Sequence, residues 1–286
     1  MDGGSRRKSK NSAVPLSKFQ SEVLRTLAAQ RSPDSYIAGG VAINRDGPRF
    51  SADIDIFHDS EGRLEVATTE DAAALMAAGY GVAWGRVREG KRDAVVSRGG
   101  ASMALEWVTD AAFRFFSTEP DDLFGYVLHP VDLATNKAAA AADRRVPRDI
   151  VDLLTIHDSI LPLGAVVSAA VGKFPGVTPE EMLAEIIRHG RFTAEEFAVL
   201  ATAEPIDASE LHRRIRAMVE DAEHFIAALP SEAVGIVFMD GNHPVQPDMN
   251  RLADYARNPG APCGFWPSSS EIATAMLERY RDRPKQ

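Results

Sequence analysis

Cysteine is almost missing from this chain. Cys263 stands alone among 286 residues, so no intrachain disulfide can form, which excludes a disulfide-stapled scaffold and fits a reducing compartment. Long hydrophobic runs are missing too. No stretch approaches the roughly 18–20 uninterrupted apolar residues of a membrane span. The opening residues, MDGGSRRKSKNSAVP, are basic but have no apolar core behind the charges, so they do not read as a secretory signal. A cytoplasmic protein is the expectation. Positive charge is short overall, with 41 acidic against 32 basic residues and a net charge of −9. A generic nucleic-acid coat would need the opposite sign. A local basic groove is still allowed, and most of the cations are arginines, whose guanidinium suits bidentate phosphate contacts. No internal repeat or coiled-coil heptad is present. What remains is 45% apolar and 26% charged, long enough for one large or two modest domains with cores of their own.

Local patterns divide the chain near residue 128. Residues 1–14 mix Gly, Ser, Lys and Arg and read as a flexible tail. Over 16–29, Phe19, Val23, Leu24 and Leu27 recur at helical spacing. Ser35-Tyr36-Ile37-Ala38 runs as a short strand into Gly39-Gly40, and 51–57 alternates apolar with acidic residues as a second strand. A helix is expected over 68–78, with Thr68 and Asp71 in capping-box positions, followed by strands at 81–87, 93–97 and 102–108. After His129-Pro130 the pattern becomes helical: 131–142, 147–158, 179–188, 193–201, 209–229 and 270–281, with one late strand at 234–239. The expected fold class is α/β (α+β), a core with a small mixed sheet over 15–128, followed by a mainly helical C-terminal domain over 129–286.

The strongest chemical signal is Gly39-Gly40, twelve residues, then Asp53-Ile54-Asp55. Strand residues two apart share a face, so both carboxylates project side by side. Next to Ile54, Ile56 and Phe57 they repel each other and are costly to desolvate. A divalent cation removes that cost; oxygen ligands favour Mg²⁺, which keeps several waters and takes further ligands from substrate phosphates. Paired glycines let backbone N–H groups approach a polyphosphate. Lys137 is the only lysine of its alanine-rich helix, and Arg49 and Arg145 could clamp a triphosphate. Asp149 and Asp152, three apart, are helix neighbours. There is no P-loop, no dinucleotide-binding G-x-G-x-x-G, no Ser-His-Asp arrangement around Ser51, and no zinc site with one cysteine and no close histidine pair. His58 beside the acidic strand reads as incidental.

The run from Gly39-Gly40 to Arg49-Phe50-Ser51-Ala52-Asp53-Ile54-Asp55-Ile56-Phe57 resembles the first motif of the minimal nucleotidyltransferases of the DNA polymerase β superfamily. A second block, Val131-Asp132-Leu133-Ala134-Thr135-Asn136-Lys137-Ala138, then Asp143-Arg144-Arg145 and Pro147-Arg148-Asp149-Ile150-Val151-Asp152-Leu153-Leu154, resembles the AbiEii/AbiGii (MenT-like) toxin family. The matching motifs cover about 36–57 and 129–156. The resemblance implies Asp53 and Asp55 as ligands of a two-metal Mg²⁺ site, and Ser51 beside the nucleotide phosphates. It implies Lys137 as the functional lysine, and Asp152 or else Asp149 as the later acid. Superfamily catalysis also wants a third carboxylate as general base, for which Glu106 is the strand candidate. Many members have Gly-Ser where this chain has Gly39-Gly40; Ser51 or Asn44 could replace that hydroxyl.

The reaction implied is Mg²⁺-dependent transfer of a nucleotide from an NTP, by the toxin of a bacterial type IV toxin–antitoxin pair, with the tRNA 3′ end as acceptor and a cognate antitoxin as partner. For an RNA acceptor, Arg144, Arg145 and Arg148 could form one basic wall, extended by Arg213, Arg214, Arg216 and the Arg6–Lys10 tail. Other classes stay open: an antibiotic-type nucleotidyltransferase acting on a small hydroxylated molecule, kinase-like transfer to a protein, including Ser51 itself, or an inactive NTP-binding partner.

Overall fold

The alternation over 53–57 sets the architecture. Ile54, Ile56 and His58 are buried, while Asp53, Asp55 and Phe57 are half-buried, so that strand gives one face to a core and the other to a cleft. The computed structural model describes residues 16–45 and 47–264. In chain order the first elements are α1 (Lys18–Leu27), β1 (Ser35–Ala38), α2 (Gly39–Ile43), β2 (Asp53–His58) and α3 (Glu61–Ala77). Then come β3 (Gly81–Arg88), β4 (Lys91–Arg98), β5 (Ala101–Thr109), β6 (Phe113–Arg114), β7 (Glu119–Asp121) and β8 (Gly125–Val127). A seven-stranded mixed sheet has the order β3-β4-β5-β2-β1-β8-β7. Its central strand β2 is antiparallel to β1 and parallel to β5.

The helices are α4 (Pro130–Asp143), α5 (Pro147–Ser159), α6 (Leu163–Ala170), α7 (Pro179–His189), α8 (Ala194–Ala198) and α9 (Ala208–Ala228). A three-stranded sheet of β9 (Val237–Asp240), β10 (His243–Val245) and β11 (Ala256–Asn258) follows, and β12 (Ala261–Pro262) pairs with β6. Pro130 and Pro147 start α4 and α5 in their first turns, where the missing N–H costs nothing.

Two large cores organise these elements, with a smaller cluster of Phe115, Phe116, Val131, Ala169, Val237 and Met239 beside them. On one face of the sheet Ile37, Ile54, Ile56, Val96, Leu105 and Trp107 pack with Val23, Leu24 and Leu27 of α1 and Leu64 and Leu75 of α3. The second core is built by α4, α5, α6, α7 and α9, and takes in Tyr36, Ala38 and Ile43 from β1 and α2. β1 and α2 therefore belong to both, which fixes the direct turn from Ala38 into Gly39 against the helices. No single helix among the described residues is long and apolar enough to cross a membrane.

Several elements differ from expectation. α3 begins at Glu61, not 68, because the Ser60 hydroxyl accepts the Arg63 N–H at 3.2 Å and caps it. Thr68 instead donates to the Leu64 carbonyl at 2.6 Å, and Asp71 is buried against Arg31 and the Trp107 indole N–H. α6 carries no apolar periodicity, since all of LGAVVSAA is buried, and so was not expected. The short β6, β7 and β8 were not expected either. The helix of 193–201 stops at Ala198, and the late strand starts at Val237 rather than 234. The tail over 1–14 and the helix over 270–281 lie outside the described residues.

Candidate active site

The cleft opens where β1 ends. Gly39 has φ +69, and a Cβ there would stand inside the Asp55 carboxylate. A Cβ on Gly40 would come within 2.6 Å of the Arg49 guanidinium and 3.0 Å of Ser51 Oγ. Both glycines are thus required by close approach, and Arg49 and Ser51 fill the space that a side chain at 40 would take. The Ser51 hydroxyl donates to Asp53 Oδ1 at 2.9 Å, and Ser51 is itself fixed by the Gln20 amide, which donates to its carbonyl at 2.7 Å.

Asp53 and Asp55 project side by side from β2. The parallel register sets Asp55 beside Glu106 of β5, so three carboxylates crowd one wall of a cleft of about 370 Å³. Burial, then the charges of Asp53 and Glu106, push the Asp55 carboxyl up to about 7, against the pull of Lys137 and Arg148. The opposite wall is cationic. Arg49, Lys137, Arg144 and Arg148 line it, while Lys91 lines the cleft from the carboxylate wall. Lys91 pairs with Glu106, and Arg148 lies 3.4 Å from Asp53.

Behind that wall is a buried ion network. Asp152 accepts a two-pronged contact from Arg49 at 2.8 and 2.9 Å, a third bond from the Asn44 amide at 2.8 Å, and lies 3.0 Å from Lys137 Nζ. Lys137 also donates to Asp149 at 2.8 Å. Arg144 donates to Asp149 as well, at 2.8 and 3.2 Å. Burial would raise the Asp149 carboxyl, but Arg144 and Lys137 outweigh it and hold the group below the usual carboxylate range. The segment carrying Arg49 is clamped from the helical side, where Phe50 N–H donates to the Ala201 carbonyl and Ala203 N–H to the Pro48 carbonyl, both at 2.8 Å.

No family model matches the sequence, and none of the curated proteins does. Among solved structures, the nucleotidyltransferase toxin MenT4 from Mycobacterium tuberculosis is similar over 75% of this chain and 83% of its own, at 15% identity and a TM-score of 0.51. This chain has a nucleotidyltransferase-like fold. The Cid1 poly(U) polymerase and a cytoplasmic RNA terminal U-transferase superpose only loosely. They cover 92% and 91% of this chain and 84% and 82% of their own, at 12% identity and TM-scores of 0.28 and 0.27.

Within this fold the structure gathers Gly39, Gly40, Arg49, Ser51, Asp53, Asp55, Glu106 and Lys137 at one cleft. Asp149 and Asp152 do not line it; they are buried and hold its cations in place. Arg145, expected as a triphosphate clamp, points elsewhere, bonded to Glu196 at 2.7 and 3.0 Å and stacked over Phe192. Arg144 takes the inward position, because the chain is extended there and successive side chains diverge. Arg213 and Arg214 are tied to Glu210 and Asp158, Arg216 lines a separate groove beside Ile150 and Phe192, and none of the three lines the cleft. His58 is buried on the core side of β2, and burial pushes it down to about 4. Sequence reasoning missed Lys91 and Asn136. Asn136 is held by Lys173, whose Nζ donates to its Oδ1 at 2.6 Å, and no sequence signal links those two positions.

Among the described residues no three acid, histidine or cysteine side chains form a ready-made metal cage. Asp53 and Asp55 nonetheless fit Mg²⁺: they are paired oxygen donors, Asp55 is electrostatically uncomfortable when charged, and the cleft leaves room for water and phosphate ligands.

Proposed function

We propose that the protein is a nucleotidyltransferase, moving a nucleoside monophosphate from an NTP to an acceptor hydroxyl with release of pyrophosphate. One observation carries this reading: the Asp53, Asp55 and Glu106 carboxylates, with Lys91 beside Glu106, face Arg49, Lys137, Arg144 and Arg148 in one cleft. Phosphoryl-type transfer is mostly positioning and charge neutralisation, and that is what such a pairing of walls supplies. Arg49, Lys137, Arg144 and Arg148 hold the polyphosphate, and Asp149 and Asp152 keep three of these cations in position. The Ser51 hydroxyl, which donates to Asp53 Oδ1, would turn to a phosphate oxygen once Asp53 serves as a cation ligand. Glu106, oriented by Lys91, accepts the proton of the attacking hydroxyl. Mg²⁺ held by Asp53 and Asp55 would neutralise phosphate charge and polarise the transferring group.

The finer assignment is transfer to the 3′ end of tRNA by the toxin of a toxin–antitoxin pair. The two sequence blocks and the likeness to MenT4 support it. The test is incubation with each labelled NTP, Mg²⁺ and purified tRNA. Labelled tRNA with wild type, and none with Asp53→Ala, is the expected result. Label on a small hydroxylated compound or on the protein itself, with tRNA unlabelled, replaces the RNA acceptor.

A further inference from the structure

In a chain with net charge −9, unpaired cations next to the cleft are informative. The arginines of the site are already committed: Arg49 to Asp152, Arg144 to Asp149, Arg148 to Asp53. On β4, Arg92 is committed to Glu61 of α3. Arg86 and Arg88 differ. Both are exposed on β3, the edge strand of the sheet, and among the described residues neither guanidinium has a carboxylate partner.

Their placement continues the cleft. Arg88 lies directly opposite Lys91 in the β3–β4 register, and Lys91 lines the cleft; residues directly opposite share a face of the sheet. β3 lies two strand spacings from β5 and Glu106, roughly 10 Å. The register also slips between Trp84 and Val87, so that Gly85 and Arg86 together oppose Asp93. In this bulge the Asp93 carboxylate occupies the space a Cβ on Gly85 would need, and accepts the Arg86 backbone N–H at 2.9 Å. The acid that could cancel the two arginines is thereby turned onto backbone. Bulges near active sites commonly re-aim a side chain in this way. Glu89 at the hairpin turn is the remaining acid on this segment.

We propose that the β3–β4 hairpin is the track for the acceptor's phosphate backbone, with Arg86 and Arg88 as its contacts. The proposal rests on the nucleotidyltransferase reading with a nucleic-acid acceptor. A polynucleotide whose terminal hydroxyl reaches Glu106 must leave the cleft as a repeating anion. Arg88 and Arg86 extend the line of cations outward from Lys91. Of the basic wall expected at Arg213, Arg214 and Arg216, the first two are neutralised by their own acids and the third lines a groove away from the cleft.

The experiment is fluorescence anisotropy of a 5′-fluorescein single-stranded RNA with a free 3′ hydroxyl, titrated across a KCl series. Arg86→Gln/Arg88→Gln should weaken binding on the order of tenfold and make the slope of log K against log[KCl] shallower by about 1.4, the loss of two single-strand phosphate contacts. Arg86→Lys/Arg88→Lys should keep the slope, and Arg213→Gln/Arg216→Gln on α9 should match wild type. Binding of labelled MgNTP should be unchanged in all three. An unchanged slope in the Gln pair, or no RNA binding by wild type, overturns the proposal. So does binding of polyglutamate with the same two-arginine dependence while RNA stays free. Label transfer is read in the same samples. Arginine-dependent RNA binding with no transfer from any NTP counts against the enzymatic reading and leaves the track standing. Transfer to an RNA whose binding ignores Arg86 and Arg88 overturns the track alone.

Discussion

Asp152 serves three groups at once, the Arg49 fork, the Asn44 amide and Lys137 Nζ, and it has no solvent exposure. Replacing it leaves two cations short of a counter-charge in a buried place, so Asp152→Asn should cost about 3–5 kcal/mol in urea unfolding, the scale of a broken buried ion pair. A loss under about 1 kcal/mol would mean that Asp149 alone suffices. Asp55 behaves in the opposite sense. Its carboxyl is pushed up to about 7 from 3.8, so in metal-free conditions the folded state binds the proton more tightly than the unfolded chain. Stability then falls as pH rises from about 4 to 7, and the full cost is present above that. Asp55→Asn removes the cost, raising metal-free stability at pH 8 by up to about 4 kcal/mol and changing little near pH 4. Added Mg²⁺ should stabilise wild type and leave the variant's melting temperature unmoved. If melting curves with EDTA at pH 8 show no gain for Asp55→Asn, the three-carboxylate repulsion is misjudged. Lys137→Ala should weaken NTP binding or turnover by roughly 2–4 kcal/mol, the range for a buried charge-assisted contact at a reacting anion.

At the scale of elements, the turn from β1 into α2 decides whether the cleft exists. Gly39 takes a left-handed conformation and Gly40 packs against Arg49 and Ser51. Gly39→Ala combines backbone strain with a collision at Asp55, and should cost at least about 2 kcal/mol and remove turnover. Gly40→Ser, which supplies the hydroxyl of the Gly-Ser form of the motif this run resembles, should also lower turnover here, because Arg49 must shift. A kinetic comparison of the two variants with wild type checks both. The helix caps are more ordinary. Ser60→Ala should lower stability by about 1 kcal/mol, measurable by urea titration, and should leave NTP binding alone.

For the whole molecule, two buried imidazoles couple the fold to pH. Burial, helped by the Arg31 charge, pushes His58 down to about 4, and burial pushes His129 down to about 3. Both folded values lie below the unfolded value of 6.5, so the unfolded chain binds more protons between them. Stability is full above about pH 6.5 and is lost as pH falls toward 4 and 3. In an Asp55→Asn background, where the Asp71 and Asp132 carboxyls that burial also pushes up still oppose the trend, the melting temperature relative to a variant that also carries His58→Gln and His129→Gln should rise steeply from pH 4 to 6.5 and then level. A flat profile would show that water or local opening lets these rings protonate freely.

Asp53, Asp55 and the two glycines were legible because strand alternation and turn geometry are local: neighbours within a few residues dictate which way a carboxylate projects. Asp149 and Asp152 were legible as neighbours three apart on one helix, but Lys137 stands on the preceding helix and meets them only through the packing of α4 against α5, and only the packed structure shows the two acids holding cations in place behind the cleft. Choosing between Arg144 and Arg145 was beyond sequence, because adjacent residues in extended chain point oppositely and the direction is set by Asp149 on one side and Glu196 on the other. Glu106 meets Asp55 through the register of strands some fifty residues apart, and Lys91 follows from the next strand over. Asn136 depends on Lys173 from beyond α6. Local sequence determined which groups could do chemistry and which face each element offered. Tertiary packing decided which of those faces meet, because strand register and helix docking are settled by burying two shared cores, not by any one segment's own preferences.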